Sequence, residues 1–317
     1  MRKPNYVLAL NTAGIDAVVN GLTKATPIEH ATINEKEIPR SRHVFYGDGG
    51  LDLPGLQVAG LFAVGAPANA RDEVKECVNN SSNGYLSHLE ILDGFFDFYK
   101  HVCRHAEESG IDPADILLDT DKDGSILQKR VYTRGQEFAR LIERTGIDSP
   151  LVRVLTGSSV LQNRDSGFMK FYGLTKENLG NNPAVQKHPY LMLCENGCVL
   201  VNVLDHQDIK LIVDEEYKSL IERLVGPIRE RAIQIMRDGI MQSLGLHWIT
   251  DNTINGYLSQ KDDPKGIWQG KDKLSMITFN VPQGLRQLPI GRLYRDAVAD
   301  CFARAIEEEG LSYKMIG

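Results

Sequence analysis

The 317-residue sequence predicts an α/β protein built on a parallel β-sheet. Short apolar runs of strand length alternate with segments whose apolar residues recur at helical spacing. Residues 135–145 illustrate the helical pattern, because Phe138, Leu141 and Ile142 share one face, and an apolar run follows at residues 151–155. This alternation is typical of parallel sheets, which bind ligands at the carboxyl ends of their strands.

The same patterns place the other elements of the first two-thirds of the chain. Predicted strands cover residues 6–10, 43–46, 58–65, 116–118, 190–193 and 198–203. Predicted helices cover residues 14–22, 70–78 and 91–107. The last two strands flank the turn Glu195-Asn196-Gly197 and are expected to form a hairpin or a strand edge.

From residue 205 onward the pattern changes. Short strands are predicted at residues 209–213, 246–250, 256–259 and 276–280, among helices at residues 215–241 and 292–309. Strands set among a few helices favour a separate α+β domain. The sequence therefore predicts a core over residues 1–204 and a second domain over residues 205–317.

Charge and composition limit the partners. The formal net charge is −6 and no basic tract occurs, so neither nucleic acid nor an anionic membrane is expected as a main partner. No stretch approaches the roughly 18 apolar residues of a membrane span, and the N-terminal residues lead into no signal-peptide core. The five cysteines form no Cys-x-x-Cys pair and are expected to be free thiols in a reducing cytoplasm.

The most informative segment places three alternating acids directly after the apolar run at residues 116–118. These acids are Asp119, Asp121 and Asp123, and Gly124 supplies a turn after them. Alternate acids just past a strand end can converge on one point and hold a hard cation through oxygen ligands.

Three chemistries use such a cluster. An EF-hand calcium loop beginning at Asp119 needs a Glu at its twelfth position, where this chain has Arg130. The metal site of topoisomerase-primase domains needs a Glu from an earlier strand turn, and no convincing one is present. The third chemistry uses only Asp121-Lys122-Asp123-Gly124-Ser125, with one carboxylate as nucleophile and the next as general acid and base beside a magnesium ion.

Four segments together resemble motifs of the haloacid dehalogenase superfamily of phosphatases, in particular its Cof-like, sugar-phosphatase branch. The segment at 121–125 resembles the first motif, Asp-x-Asp-Gly-Thr, and Leu155-Thr156-Gly157-Ser158 resembles the second. Cys194-Glu195-Asn196-Gly197 is similar to the Glu-Asn-Gly segment of that branch. The run Gly47-Asp48-Gly49-Gly50-Leu51-Asp52 resembles the fourth motif, Gly-Asp-x-x-x-Asp.

The order of these motifs differs from the family pattern, in which the fourth motif follows the cap domain. Here residues 1–105 carry the fourth motif and residues 106–204 carry the first and second. The resemblance therefore implies a Rossmann-like, three-layer core that is circularly permuted, with a C-terminal α+β cap at residues 205–317. Surface chain ends that lie near each other tolerate such permutation.

The third motif of the family is a Lys at the start of the helix before the fourth-motif strand. The helix predicted at residues 14–22 begins without one. Lys24 stands at the far end of that helix and is a poor substitute, while Lys170 or Lys187 could enter the site from a later loop.

The resemblance also implies roles for the remaining residues. Asp121 would be the nucleophile, Asp123 the general acid and base, and Thr156 a donor to the phosphoryl group. Mg²⁺ would be held by Asp121, Asp123, Asp48 and Asp52, the second of these through its backbone carbonyl. Candidate substrate contacts are Gly157, Ser158 and Asn196.

The expected function is thus a magnesium-dependent phosphatase acting on a small phosphate monoester, such as a sugar or polyol phosphate. A catalytically impaired protein that binds a phosphorylated ligand is the alternative, suggested by the missing third-motif Lys. A calcium-binding module built on Asp119, Asp121 and Asp123 is a further alternative.

Overall fold

A computed structural model describes most of the chain. The described residues are 5–11, 14–19, 22–29, 32–33, 36–127, 134–160, 163, 167–211, 275–280 and 289–316. The helix predicted at residues 215–241 and the strands predicted at 246–250 and 256–259 lie outside them. The chain divides into two compact units, a core unit of Leu22–Ile212 and a terminal unit that combines Met1–Gly21 with Val213–Gly317.

Fourteen strands are defined among the described residues. They are β1 Asn5–Asn11, β2 Gly14–Val19, β3 Thr32–Ile33, β4 Lys36–Glu37, β5 His43–Tyr46, β6 Ala63–Ala66, β7 Gly84–Leu86, β8 Leu117–Asp121, β9 Leu151–Leu155, β10 Met192–Cys194, β11 Val199–Val201, β12 Ile209–Leu211, β13 Met276–Asn280 and β14 Ser312–Ile316. The α-helices there are α1 Thr26–Glu29, α2 Leu53–Leu56, α3 Asp72–Asn79, α4 Ile91–Glu108, α5 Gly135–Glu143, α6 Phe168–Phe171, α7 Lys176–Leu179, α8 Pro183–Lys187 and α9 Pro289–Glu308. None of the described helices combines the length and apolar character needed to cross a membrane.

The core unit contains an eight-stranded sheet in the order β12-β11-β10-β9-β8-β5-β6-β7. All neighbours from β10 to β7 are parallel, whereas β11 and β12 add in antiparallel fashion. The predicted parallel α/β sheet is therefore confirmed. The hairpin expected around Glu195-Asn196-Gly197 is also present, as the antiparallel pair β10 and β11.

The chain changes direction across this sheet between β5 and β8. From β5 it proceeds through β6 to β7 at one edge, then returns to β8 and proceeds through β9 to β10 on the other side. The carboxyl ends of β5 and β8 therefore flank the point where the strand order reverses, which is where open α/β sheets form a ligand crevice. Tyr46 pairs with Thr120, so the residues that follow these two strands emerge side by side.

Both faces of the sheet are buried. Successive residues of a strand point to opposite faces, and each face packs into its own apolar cluster. Val44 and Tyr46 pack into the cluster that contains Phe95 and Phe98 of α4. Phe45, between them, packs into the second cluster, which includes residues of α2 and α3. Helices on both faces account for the near-continuous apolar character of the strands.

A buried ion pair joins the middles of β8 and β9. Asp119 and Arg153 are register partners, and Nε and Nη2 of Arg153 each lie 2.6 Å from an Asp119 carboxylate oxygen. Both side chains are buried. Asp119 is thus engaged within the sheet, and the calcium-loop interpretation loses its first ligand.

The described part of the terminal unit contains a four-stranded sheet in the order β13-β2-β1-β14. The prediction of a helix at residues 14–22 was wrong, because residues 14–19 form β2 and pair with both β1 and β13. Ile15, Val18 and Val19 are β-branched residues, whose stiff side chains suit a strand better than a helix. Residues 1–21 belong to this unit and not to the core, where we expected them.

Replacing Arg153 with Leu should lower the free energy of unfolding by about 3–5 kcal/mol, because it leaves the Asp119 carboxylate buried without its partner. Urea unfolding measures the change. Arg144→Leu is the matched control, since Arg144 pairs with Asp148 at the surface and should contribute less than about 1 kcal/mol. Equal effects of the two substitutions would contradict the structural role of the buried pair.

Candidate functional site

Three carboxylates meet at the carboxyl ends of β5 and β8. Asp48, Asp52 and Asp121 each offer one oxygen, and these oxygens lie within 4.8 Å of one another. Asp48 comes two residues after β5, Asp52 ends the 3-10 turn Gly50–Asp52, and Asp121 is the last residue of β8. Three of the four predicted metal ligands are therefore brought together. Asp123, the fourth, does not join this carboxylate group.

The glycine-rich turn after β5 fixes Asp52. Its Oδ2 accepts hydrogen bonds from the backbone N–H groups of Asp48, at 2.9 Å, and Gly49, at 2.8 Å. A Cβ at Gly47 would lie 2.5 Å from Asp52 Cγ, so only glycine allows this approach. With Oδ2 held by the turn, Oδ1 is left to accept from the Lys24 ammonium.

The loop after β8 closes onto Asp48. Gly124 has a φ of 96°, and a Cβ there would lie 2.1 Å from Asp48 Oδ2. Ser125 Oγ donates a hydrogen bond to Asp48 Oδ1 at 2.9 Å, and Asn69 Nδ2 donates to the Gly124 carbonyl at 2.9 Å. The Gly-Ser pair after the acids thus has a direct structural purpose, because it places the Asp48 carboxylate.

A buried lysine completes the cluster. The Lys24 ammonium lies 2.5 Å from Asp52 Oδ1 and also donates to Asp121 Oδ1, with only 5% of the residue exposed. Lys24, which was expected to be a poor substitute for the third-motif lysine, is the one of the three candidate lysines that contacts these carboxylates. Lys170 and Lys187, the two other candidates, are exposed.

The position of Lys24 was not foreseen because the helix predicted at residues 14–22 is in fact the strand β2. The strand β2 ends at Val19, and the next helix, α1, begins at Thr26-Pro27. Lys24 lies in the turn before α1. Proline is favoured in the first turn of a helix. Thr26-Pro27 was therefore the sequence signal that could have placed the helix start beside Lys24.

The electrostatics of the cluster favour a cation. Burial, then the nearby charge of Asp52, raises the pKa of Asp121 well above its usual range. The same two causes, in the same order, raise the pKa of Asp48 to about 6. Burial opposes the charged form of Lys24, but the charges of Asp121 and Asp52 together raise its pKa. A single lysine thus leaves negative charge uncompensated, and an all-oxygen set of carboxylates suits a hard divalent cation.

The predicted acid and phosphate donors lie beside this cluster at the ends of β8 and β9. The Lys122 N–H donates to the Leu155 carbonyl at 2.9 Å, which brings Asp123 next to Thr156. Thr156 Oγ1 lies 3.5 Å from Asp123 Oδ2 and accepts the Ser158 N–H at 3.1 Å. Thr156 is buried, whereas 51% of the Asp123 side chain is exposed.

The Glu195-Asn196-Gly197 turn packs against the loop that begins at Thr156. Asn196 adopts a left-handed conformation, with φ of 59° and ψ of 27°, and its N–H donates to the Thr156 carbonyl at 2.9 Å. A Cβ at Gly157 would lie 3.4 Å from Asn196 Oδ1. These contacts give Asn196 a structural role, and its contact with substrate stays a prediction. All five cysteines are free, including Cys194 and Cys198, which flank this turn.

No protein-family model, curated protein or solved structure was found to match this chain. The findings establish a mixed α/β protein with a largely parallel sheet and a buried aspartate triad that could hold a metal ion.

Magnesium should stabilise the protein against heat, and more strongly at about pH 7.5 than at about pH 5. The raised pKa of Asp48, about 6, means that its contribution to the stability of the metal-free protein is full at low pH and is lost as the pH rises through that value. A bound cation reverses that loss, and at low pH it must displace the proton.

Differential scanning fluorimetry with and without magnesium measures this effect. Asp48→Asn should abolish most of the metal-dependent shift in Tm. A shift of the same size at both pH values, or an unchanged shift in the variant, would contradict a metal site at Asp48.

Proposed function

We propose that this protein is a magnesium-dependent phosphatase of the haloacid dehalogenase type, which hydrolyses a small phosphate monoester through an aspartyl-phosphate. The observation that carries the proposal is the contact of Lys24 with both Asp121 and Asp52. This arrangement joins the candidate nucleophile of the first motif, a cation in the role of the third, and an acid of the fourth. It places them at the sheet's reversal point, where α/β proteins bind ligands.

The sheet order supports the same proposal. The segments that resemble the fourth, first and second motifs are separated in the sequence, yet they follow the adjacent strands β5, β8 and β9. A Rossmann-like core of the family type, circularly permuted, accounts for this order. Met1–Gly21 and Val213–Gly317 form one compact unit, so the proposed cap would include both segments.

In the first half of the proposed reaction, Asp121 attacks the phosphorus atom of the substrate. A bond forms between its carboxylate oxygen and phosphorus, and the bond from phosphorus to the leaving oxygen breaks. Asp123 transfers its proton to that leaving oxygen, which departs as an alcohol. Lys24 holds Asp121 Oδ1 and thereby orients the carboxylate for attack.

In the second half, Asp123 takes a proton from a water molecule whose oxygen attacks the phosphorus of the aspartyl-phosphate. The bond between Asp121 and phosphorus breaks, which releases inorganic phosphate and restores the free carboxylate. Thr156 and the N–H group of Gly157 are the proposed donors to the phosphoryl oxygens, and Ser158 is a weaker candidate for substrate contact. Asn196 supports that loop.

Asp121, Asp48, Asp52 and the backbone carbonyl of Asp123 would hold the magnesium ion. Bound there, it would supply positive charge to offset that of the phosphoryl oxygens and the buried carboxylates. The chain itself fixes the positions of two of these carboxylates. Ser125 donates a hydrogen bond to Asp48, and the N–H groups of the turn donate to Asp52.

The alternative function, a protein that binds a phosphorylated ligand without cleaving it, rested on a missing lysine. In the proposed site Lys24 would provide that positive charge, and its contact with Asp121 therefore favours the phosphatase over the non-cleaving alternative. Asp119 is likewise engaged by Arg153, which removes the main support for a calcium module.

Asp121→Asn should abolish phosphate release, because the amide cannot act as the nucleophile. Phosphate release is measured on a panel of sugar and polyol phosphates and an aryl phosphate, with magnesium or with a chelator. The unmodified protein should turn over at least one ester only with magnesium. Turnover that survives in the variant or in the chelator would contradict the proposal.

Lys24→Met should reduce kcat by about 10²–10³, since it removes a preorganised charge from the reacting carboxylate. Lys170→Met and Lys187→Met are matched controls that remove exposed lysines and should leave kcat unchanged. Circular dichroism checks that each variant folds. Loss of activity in a control variant, with Lys24→Met active, would show that a different lysine serves the site.

A further inference from the structure

Lys122, between the two candidate catalytic acids, is almost completely buried. Only 6% of the residue is exposed, although it follows directly after a strand end in the crevice. Lysine is almost never this buried unless its charge is paired and its donors are satisfied. The proposed chemistry assigns no role to this side chain.

The contacts of the Lys122 ammonium account for its burial. Its Nζ lies 2.9 Å from Asn163 Oδ1, 3.4 Å from Ser158 Oγ and 3.3 Å from Asp123 Oδ2. It also lies 5.1 Å from the centroid of the Phe168 ring. The ammonium thus donates hydrogen bonds to Asn163 and Ser158 and forms an ion pair with Asp123.

Asn163 fixes the far side of this arrangement. Its Nδ2 donates to the Ser159 carbonyl at 2.8 Å and approaches Cys194 Sγ at 3.5 Å. Since both of those groups accept hydrogen bonds, Oδ1 is the end of the amide that faces Lys122. Asn163 is itself fully buried, so the lysine is held by a buried partner rather than by a surface side chain.

Asp123 is the exposed member of the pair. About half of its side chain is exposed, and its other side-chain contact is the 3.5 Å approach of Thr156 Oγ1. A general acid contributes only when its carboxylate is held within reach of the reacting oxygen. An ion pair with a lysine that is anchored on its other side restricts the rotation of the carboxylate.

We propose that Lys122 is a positioning residue, which holds the Asp123 carboxylate in place for proton transfer and does not itself bind substrate. The proposal rests on the phosphatase function above. Its geometric basis is the buried ammonium, which is hydrogen-bonded to Asn163 and Ser158 and ion-paired with Asp123. Lys122 would thus be a second cation of the site, which acts through the general acid Asp123, whereas Lys24 acts on the nucleophile Asp121.

The test compares two substrates that differ in their need for an acid. An alkyl phosphate, taken from the panel as the best substrate, has a poor leaving group that must be protonated. 4-Nitrophenyl phosphate has a leaving group that departs without a proton. In Lys122→Met, kcat/KM for the alkyl ester should fall by about tenfold to a hundredfold, and kcat/KM for the aryl ester should fall much less. The ratio kcat/KM is used because it reports on formation of the aspartyl-phosphate and excludes the shared hydrolysis step.

Control variants accompany this test. Asp123→Asn should show the same preference for the aryl ester, and adding Lys122→Met to it should cause little further loss, because both act on one step. Lys170→Met removes an exposed lysine and should change neither ratio. Lys122→Gln replaces Lys122→Met if the latter fails to fold.

Equal losses of kcat/KM on both esters would overturn the proposal in favour of a structural role. A rise in KM without a change in kcat would overturn it in favour of direct substrate binding. Absence of turnover in the unmodified protein would instead overturn the phosphatase function itself, and that failure is visible before any Lys122 variant is made.

Discussion

The candidate site depends on one interaction, the buried ammonium of Lys24 between Asp121 and Asp52. Three carboxylates within 4.8 Å of one another would repel strongly in a buried crevice, and Lys24 is the cation that contacts two of them. Other features make that contact possible. The glycines at 47 and 124 let the chain approach Asp52 and Asp48, and the turn before α1 carries the lysine into the crevice. The charge that one lysine leaves uncompensated is the reason that a divalent cation fits.

The sheet topology explains how distant segments form one site. Because the strand order reverses between β5 and β8, Asp48 and Ser125 lie in contact although they are 77 residues apart in the sequence. The buried ion pair of Asp119 and Arg153 links β8 to β9 in the strand segments that lead to the site. This pair also explains why three alternating acids do not act together. The first is part of the sheet's own packing, and only the later two are available for chemistry.

Much of the core could be predicted from local pattern, because its strands are apolar runs and its acids directly follow them. The residues 151–155 were predicted as a strand and form β9 with the same bounds. Lys24 could not be placed correctly, because residues 14–19 form a strand through pairing with β1 and β13, contacts that a local pattern does not contain. The ion pair of Lys122 was missed for a similar reason, since Asn163 lies 41 residues away in the sequence. The assignment of residues 1–21 to the terminal unit also depends on long-range pairing.

The central claim is that Asp121 becomes covalently phosphorylated, and trapping that intermediate tests it most directly. The Asp123→Asn variant, which lacks the base for the second half of the reaction, is mixed with 4-nitrophenyl phosphate and magnesium and quenched in acid. Mass spectrometry of the digested protein should then find one phosphoryl group on the peptide that contains Asp121, and none when Asp121→Asn is added. Release of nitrophenol with no phosphorylated peptide, or with the phosphoryl group on another residue, would contradict the account.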